Sequence, residues 1–167
     1  MAVRHVLIPS PPEAVWAVLC DGDKYEEWVI GTRETEEVDP AWPALGSSIR
    51  YTVRCGRWSL KGRTVVRACV EGERLELEAK AGALGTARIA IELRPWGEDC
   101  LVFVDEHPLT GPGAKLHGMV VETFLQARHR RMLSRLAQVV QKSDGAAGSG
   151  SGSRSGRSPG AGDRAPA

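Results

Sequence analysis

With 167 residues, the chain has room for one domain plus an appendage, and a domain of that size can bury a sizeable core. A hydrophobic share of 42% is ordinary for a globular protein and excludes disorder throughout. The formal net charge is +1, from 22 basic and 21 acidic side chains, so no long-range field draws nucleic acid or an acidic membrane; any such partner needs a local patch, and no nucleic acid is expected.

Val3, Val6, Leu7 and Ile8 predict a strand over residues 2–9, closed by Pro9. Arg4, His5 and Pro9 interrupt the apolar run that a secretory leader needs, and no stretch approaches the ~20 apolar residues of a membrane span. Ser10-Pro11-Pro12-Glu13 reads as a helix start: Ser10 as cap, Glu13 completing a capping box, and prolines where no donor is needed. The short helix carries Val15, Trp16, Val18 and Leu19, with Trp16 locking it to the sheet, and stops near Asp21-Gly22. A second short helical turn, Asp23 to Trp28, precedes Gly31.

The middle of the chain alternates with period two between Gly and Pro punctuation, as an antiparallel sheet does. Ile49, Tyr51 and Val53 share a face; Trp58, Leu60, Thr64, Val66, Ala68 and Val70 share the next, opposite Ser59, Lys61, Arg63 and Arg67. Leu75, Leu77 and Ala79 follow, then Ala87, Ile89, Ile91 and Leu93, then Cys100, Val102, Val104 and Glu106. One dry and one wet face throughout predict a sheet curved around something. Trp42-Pro43 and Trp96 lie in loops, where they gate an entrance or plug a gap.

A long helix is predicted from about Pro112 to Lys142, with Ala114, Gly118, Val121, Leu125, Met132, Leu136 and Val139 in one apolar stripe. Roughly 30 residues reach about 45 Å, enough to cross a whole sheet. Arg130, Arg131, Ser134, Arg135, Gln138, Gln141 and Lys142 form the opposite, solvated side. Leu116, Val120 and Phe124 add a second apolar side, expected to border a pocket mouth or to form a homodimer contact. From Ser143 the sequence is nearly all Gly, Ala, Ser, Arg and Pro, so residues 1–142 are the expected domain and 143–167 a disordered tail.

This order gives the α+β class: about six to seven antiparallel strands, two short helices after the first, and one long helix last. It resembles the helix-grip fold of the START-like, or SRPBCC, superfamily. Ile8-Pro9-Ser10-Pro11-Pro12-Glu13-Ala14-Val15-Trp16, Trp28-Val29-Ile30-Gly31 and Asp39-Pro40-Ala41-Trp42-Pro43-Ala44-Leu45-Gly46-Ser47, in that order, are similar to its bacterial polyketide cyclase/dehydrase-like branch. The likeness covers roughly residues 3 to 140. It implies a cavity between sheet and C-terminal helix that takes lipids, polyketides or other apolar molecules. It implies no single reaction, since members include carriers, cyclases, hydrolases and chaperone regulators.

Catalytic signatures are missing from the expected domain: residues 1–142 have no G-x-S-x-G, P-loop, H-E-x-x-H or dinucleotide fingerprint, and Gly111-Pro112-Gly113 reads as a turn feeding a helix. No metal, nucleotide or other cofactor is expected. Cys20, Cys55, Cys69 and Cys100 lie far apart without C-x-x-C spacing, which predicts reduced, buried thiols of a cytoplasmic protein. Glu106, by alternation, faces the pocket with Val102 and Val104 and is the candidate proton acceptor, or else a residue at the strand end, near the rim, solvated or bonded to backbone. Tyr51 is a candidate to orient a ligand oxygen, and His129, at the edge of the helix stripe, a candidate donor or base. Trp28 and Trp58 are expected pocket walls, lined further by Thr64, Val66, Val121, Leu125 and Met132.

Two functions fit these residues. One is a non-catalytic binder of a small hydrophobic molecule; the other is a polyketide cyclase or dehydratase in the same cavity. The acid/base set of Glu106, Tyr51, Thr64 and His129 is thin, which favours binding. A protein-interaction module using helix and tail is the third alternative.

Overall fold

The computed structural model describes residues 2–55, 57–80, 85–110 and 119–149, with side chains described for 4–53, 57, 59–80, 85–110 and 130–146. The chain runs as β1 (Ala2–Ile8), α1 (Pro12–Cys20), a 3-10 turn (Gly22–Lys24), α2 (Tyr25–Trp28), β2 (Thr32–Val38), β3 (Ser48–Cys55), β4 (Trp58–Val70), β5 (Arg74–Lys80), β6 (Thr86–Trp96), β7 (Asp99–Thr110) and a long helix, here α3 (Met119–Ser149). Among the described residues the strands form one open antiparallel sheet of seven, ordered β1-β7-β6-β5-β4-β3-β2. This is the α+β, helix-grip-like arrangement expected from the order of elements.

The cap expected at the N-terminal end changes. Helix α1 is capped by Pro11, whose backbone is extended at ψ 156°, and no side chain caps it. Ser10 lies one residue too early; its N–H instead donates to the Ile8 carbonyl at 2.8 Å. Pro12 does take the first helical position, where its missing donor costs nothing. Strand β2 gives no alternating signal because it reads Thr-Arg-Glu-Thr-Glu-Glu-Val and forms a sheet edge, where charge discourages pairing with another chain. Its carboxylates tie it inward: Arg50 donates to Glu37 at 2.9 Å and Thr52 to Glu36 at 2.6 Å.

Cross-strand register aligns the dry face into rows. Val66, Leu77, Ile89 and Glu106 stand opposite one another in turn, as do Leu75, Ile91 and Val104 beside them. The wet face is a charge lattice in which Glu76 is held by Arg74 and Arg88, and Glu78 by Arg67 and Lys80. Alternation along β4 fails past Val66. A bulge at Arg67 sets Val66 against Leu77 but Ala68 against Glu76, so Ala68 and Val70 turn to the wet side and Val70 is exposed. Turn chemistry closes the β6–β7 hairpin, where Gly97 at φ +65° takes a conformation that side-chain-bearing residues avoid.

Helix α3 packs against β1, α1 and α2. Met132, Leu136 and Val139 are buried as the apolar stripe predicts, and Leu133 and Val140 widen it. Arg130, Arg131, Ser134, Arg135 and Gln138 are exposed on the other side. The helix continues to Ser149, past the Lys142 boundary read from composition. Lys24 donates to the Ser143 hydroxyl at 3.2 Å, just past that boundary. The helix start near Pro112, the Gly111-Pro112-Gly113 turn, the second apolar side at Leu116, Val120 and Phe124, and residues 150–167 lie outside the described residues or side chains.

The cysteines are only partly as expected. Cys20, Cys69 and Cys100 are free thiols, but Cys69 is exposed and Cys20 half-buried. The Cys55 side chain lies outside the described set.

Candidate ligand-binding site

The centre of the site is a residue that sequence reading did not single out. Tyr25 begins α2 and is 2% exposed. Its ring lies 5.5 Å from that of Trp28, 5.4 Å from Tyr51 and 6.3 Å from Trp42, centroid to centroid. The edge-on contacts to both indoles are the favoured aromatic geometry. The available signal was Tyr25 and Trp28 three apart, which stacks them on one side of a helical turn.

Tyr25 reaches the dry face of the sheet through its hydroxyl, 2.7 Å from Thr64 Oγ1. Thr64 in turn donates to the Tyr51 hydroxyl at 3.3 Å. A threonine hydroxyl has one proton, so Tyr25 must be the donor in the first bond, and the chain is polarised from Tyr25 through Thr64 to Tyr51. All three residues are buried, Thr64 completely. Tyr51 stands opposite Gly62, and its ring occupies the space that a side chain at 62 would fill. Tyr25 and Tyr51 each make a further contact.

Glu106 faces as alternation requires. It is 6% exposed, at the end of the apolar row through Val66, Leu77 and Ile89, and it too makes a further contact. Its neighbours Asp105 and His107 are less buried and pair with each other at 2.9 Å. At that burial Glu106 is not solvated. Arg4 stands opposite Val104, so a cation shares this face one register step from Glu106.

The expected site residues therefore divide. Tyr51, Thr64, Val66, Val102, Val104 and Glu106 are buried on one face, and Trp28 joins them through Tyr25. Met132 is buried in the part of α3 whose side chains are described. The side chains of Trp58, Val121, Leu125 and His129 lie outside the described set. Trp42 does not gate an entrance: it is 9% exposed, and its indole donates to the Leu19 carbonyl at 3.1 Å, pinning the β2–β3 loop to α1. Trp96 is 65% exposed at the end of β6 and plugs nothing. An open depression of about 530 Å³ along Arg130, Arg131, Ser134, Arg135 and Gln138 lies on the solvent side of α3, away from the dry face.

Among the described residues, no group of three or more His, Cys, Asp or Glu side chains could hold a metal ion. No described helix is long and apolar enough to cross a membrane. What the arrangement offers is a dry wall, a buried carboxylate at one end and a chain of hydroxyls at the other.

Solved structures share this fold. A START superfamily protein from Mycobacterium smegmatis matches at TM-score 0.68 and 14% identity, over 84% of this chain and 97% of that one. Protein NE0264 from Nitrosomonas europaea matches at TM-score 0.68 and 14% identity, over 86% and 96%. DynU16, from the dynemicin biosynthetic locus, matches at TM-score 0.63 and 20% identity; the match covers 84% of this chain but only 46% of DynU16. At such identities the likeness is one of fold. No curated protein matches the sequence. Residues 2–141 match the family described as polyketide cyclase / dehydrase and lipid transport, and the chain belongs to that family.

Proposed function

We propose that this protein binds a small hydrophobic molecule between the dry face of its sheet and its C-terminal helix. The observation that carries the reading is the composition of that face. Among the described residues, rows of Val, Leu and Ile are interrupted at a few places, by the Tyr51–Thr64 hydroxyls, the Glu106 carboxylate and, at the β1 edge, Arg4. A face that served packing alone would gain nothing from a buried carboxylate, whose desolvation is costly. A few convergent polar groups in an apolar wall are what a ligand pocket requires. Membership of a family that includes lipid transport agrees with it. The driving force is partition: roughly 25 cal/mol is gained per Å² of apolar ligand surface removed from water.

A second reading is favoured by Glu106 itself. A buried carboxylate on the same face as two hydroxyls is the minimum for enolising a bound poly-ketone and losing water, as a polyketide cyclase or dehydratase does. One experiment separates the two. Glu106→Gln and Tyr51→Phe are assayed for retention of the co-purifying ligand, by native mass spectrometry, and for turnover of a poly-ketone mimic. A parent that retains ligand and turns nothing over supports binding. Turnover that vanishes in the variants while retention survives supports the enzyme.

A further inference from the structure

On the wet face of the sheet, Arg50, Arg67, Arg74 and Arg88 each hold a carboxylate. The outer face of α3 is different. Arg130, Arg131 and Arg135 are exposed there and form no ion pair among the described residues. Pairing along the helix is ruled out by the sequence itself. Residues 123–143 contain Arg128, Arg130, Arg131, Arg135 and Lys142 and no Asp or Glu, so none of these cations has a carboxylate three or four positions away. The helix dipole does not call for them either. It favours cations in the last turn, whereas Arg131 and Arg135 flank the middle of a helix that runs to Ser149 and has no basic residue in its last turn. Residues 1–122 hold 14 basic and 19 acidic side chains, so the small net charge of the chain conceals a cationic strip on an anionic body.

We propose that this strip is a docking surface for a second protein, which lays an acidic helix along α3. The match is one of charge and of spacing. Arg131 and Arg135 stand about 6 Å apart along the axis and Lys142 about 10 Å further, and carboxylates at i, i+4 and i+11 of a partner helix repeat those intervals. Guanidinium groups grip carboxylates through paired N–H donors, which suits arginine to the role. The open depression along Arg130, Arg131, Ser134, Arg135 and Gln138 receives a convex partner. Other occupants fit less well. Met132, Leu136 and Val139, the apolar side of this stretch, are buried against the fold and cannot enter a bilayer. Nucleic acid or a charged bilayer extends beyond the strip and meets the acidic remainder of the domain. Residues 150–167 carry three arginines against one aspartate, and a second copy related by a two-fold axis brings the same cations.

Two dye-labelled Ala/Glu helical peptides of one composition make the test. One has its glutamates in a single strip at i, i+4 and i+11; the other has them spread around the helix. Titrated with the full chain at low salt, the strip peptide should bind about tenfold more tightly than the spread one, the margin of three exposed ion pairs. The triple variant Arg130→Gln, Arg131→Gln, Arg135→Gln should lose that margin. Arg50→Gln, Arg67→Gln, Arg94→Gln, which removes as much charge from the sheet, should keep it. Equal binding of the two peptides by the parent overturns the docking surface, and so does a margin that survives the α3 substitutions. Binding of the parent to phosphatidylglycerol vesicles, with no binding of the strip peptide, overturns it in favour of a membrane.

Discussion

Gly62 on β4 and Tyr51 on β3 face each other across the ladder, and the tyrosine ring rests on the glycine backbone. A Cβ at position 62 would come within 2.4 Å of Tyr51 Cε2 and 2.8 Å of Cζ. Gly62 therefore sets the height of the Tyr51 ring above the sheet, and through it the reach of the hydroxyl to Thr64. Gly62→Ala should push the ring away and break that 3.3 Å bond, at a cost of about 1–3 kcal/mol in unfolding free energy from overpacking. Chemical denaturation of the variant checks it; an unchanged midpoint would show that the ring moves aside freely.

The outline of the fold was legible in the sequence because most strands are wet on one face, and period two then shows. Strand β2 gave no such signal, since an edge strand held by Glu36 and Glu37 needs no apolar alternation. The bulge at Arg67 was invisible for a different reason: an inserted residue reverses the faces beyond it without changing the composition. Within the site, Glu106, Thr64 and Tyr51 followed from alternation alone. Tyr25 did not, because its importance lies in contacts with residues 39 and 26 positions later, Thr64 and Tyr51, and no local pattern records those. That the Trp28 indole N–H has no hydrogen-bond partner among the described residues is likewise a property of packing.

Glu76 carries the most buried carboxylate of the wet face. It is 6% exposed, with Arg74 and Arg88 bound to it. The Arg88 hydrogen bond, together with the charges of both arginines, outweighs burial and holds its pKa below the ordinary carboxylate value. A lowered folded-state pKa stabilises above the unfolded value near 4.3, and that stability is lost as pH falls through the folded value. Glu76→Gln should therefore cost about 1–2 kcal/mol at pH 7, the low end for charged hydrogen bonds because both arginines are half exposed. The gap between parent and variant should narrow below about pH 4. Urea melts at pH 7 and pH 3.5 measure it, and a gap of equal size at both would count against the ion-pair account.

Trp42 links two elements through one bond, indole N–H to the Leu19 carbonyl at the end of α1. Trp42→Phe keeps most of the apolar ring but leaves that carbonyl without this donor. A loss of about 1–2 kcal/mol is expected. Faster amide exchange should follow at Gly46 and Val66, whose N–H groups bond Val66 and Ser47 across the base of the same loop. Exchange unchanged there would mean that the loop is held by its backbone alone.

The thiols should report the local environments of α1 and β4. Burial first, then the nearby Cys69 and Glu71, push the Cys20 thiol up to about 11. Burial and Glu71 raise Cys69 as well, but Cys69 is exposed. Only the thiolate reacts with iodoacetamide, so folded protein at pH 8 should be alkylated at Cys69 well before Cys20. Cys100 is fully buried, with its thiol also raised, and should stay unmodified. The Cys20 rate should climb about tenfold per pH unit while the fold persists, toward its pKa of about 11. In urea the three should react alike, because the environments that separate them are gone. Peptide mass spectrometry over a time course resolves each site. Cys20 labelling as fast in folded as in unfolded protein would mean that the end of α1 opens readily and that its thiol is not held in the environment described.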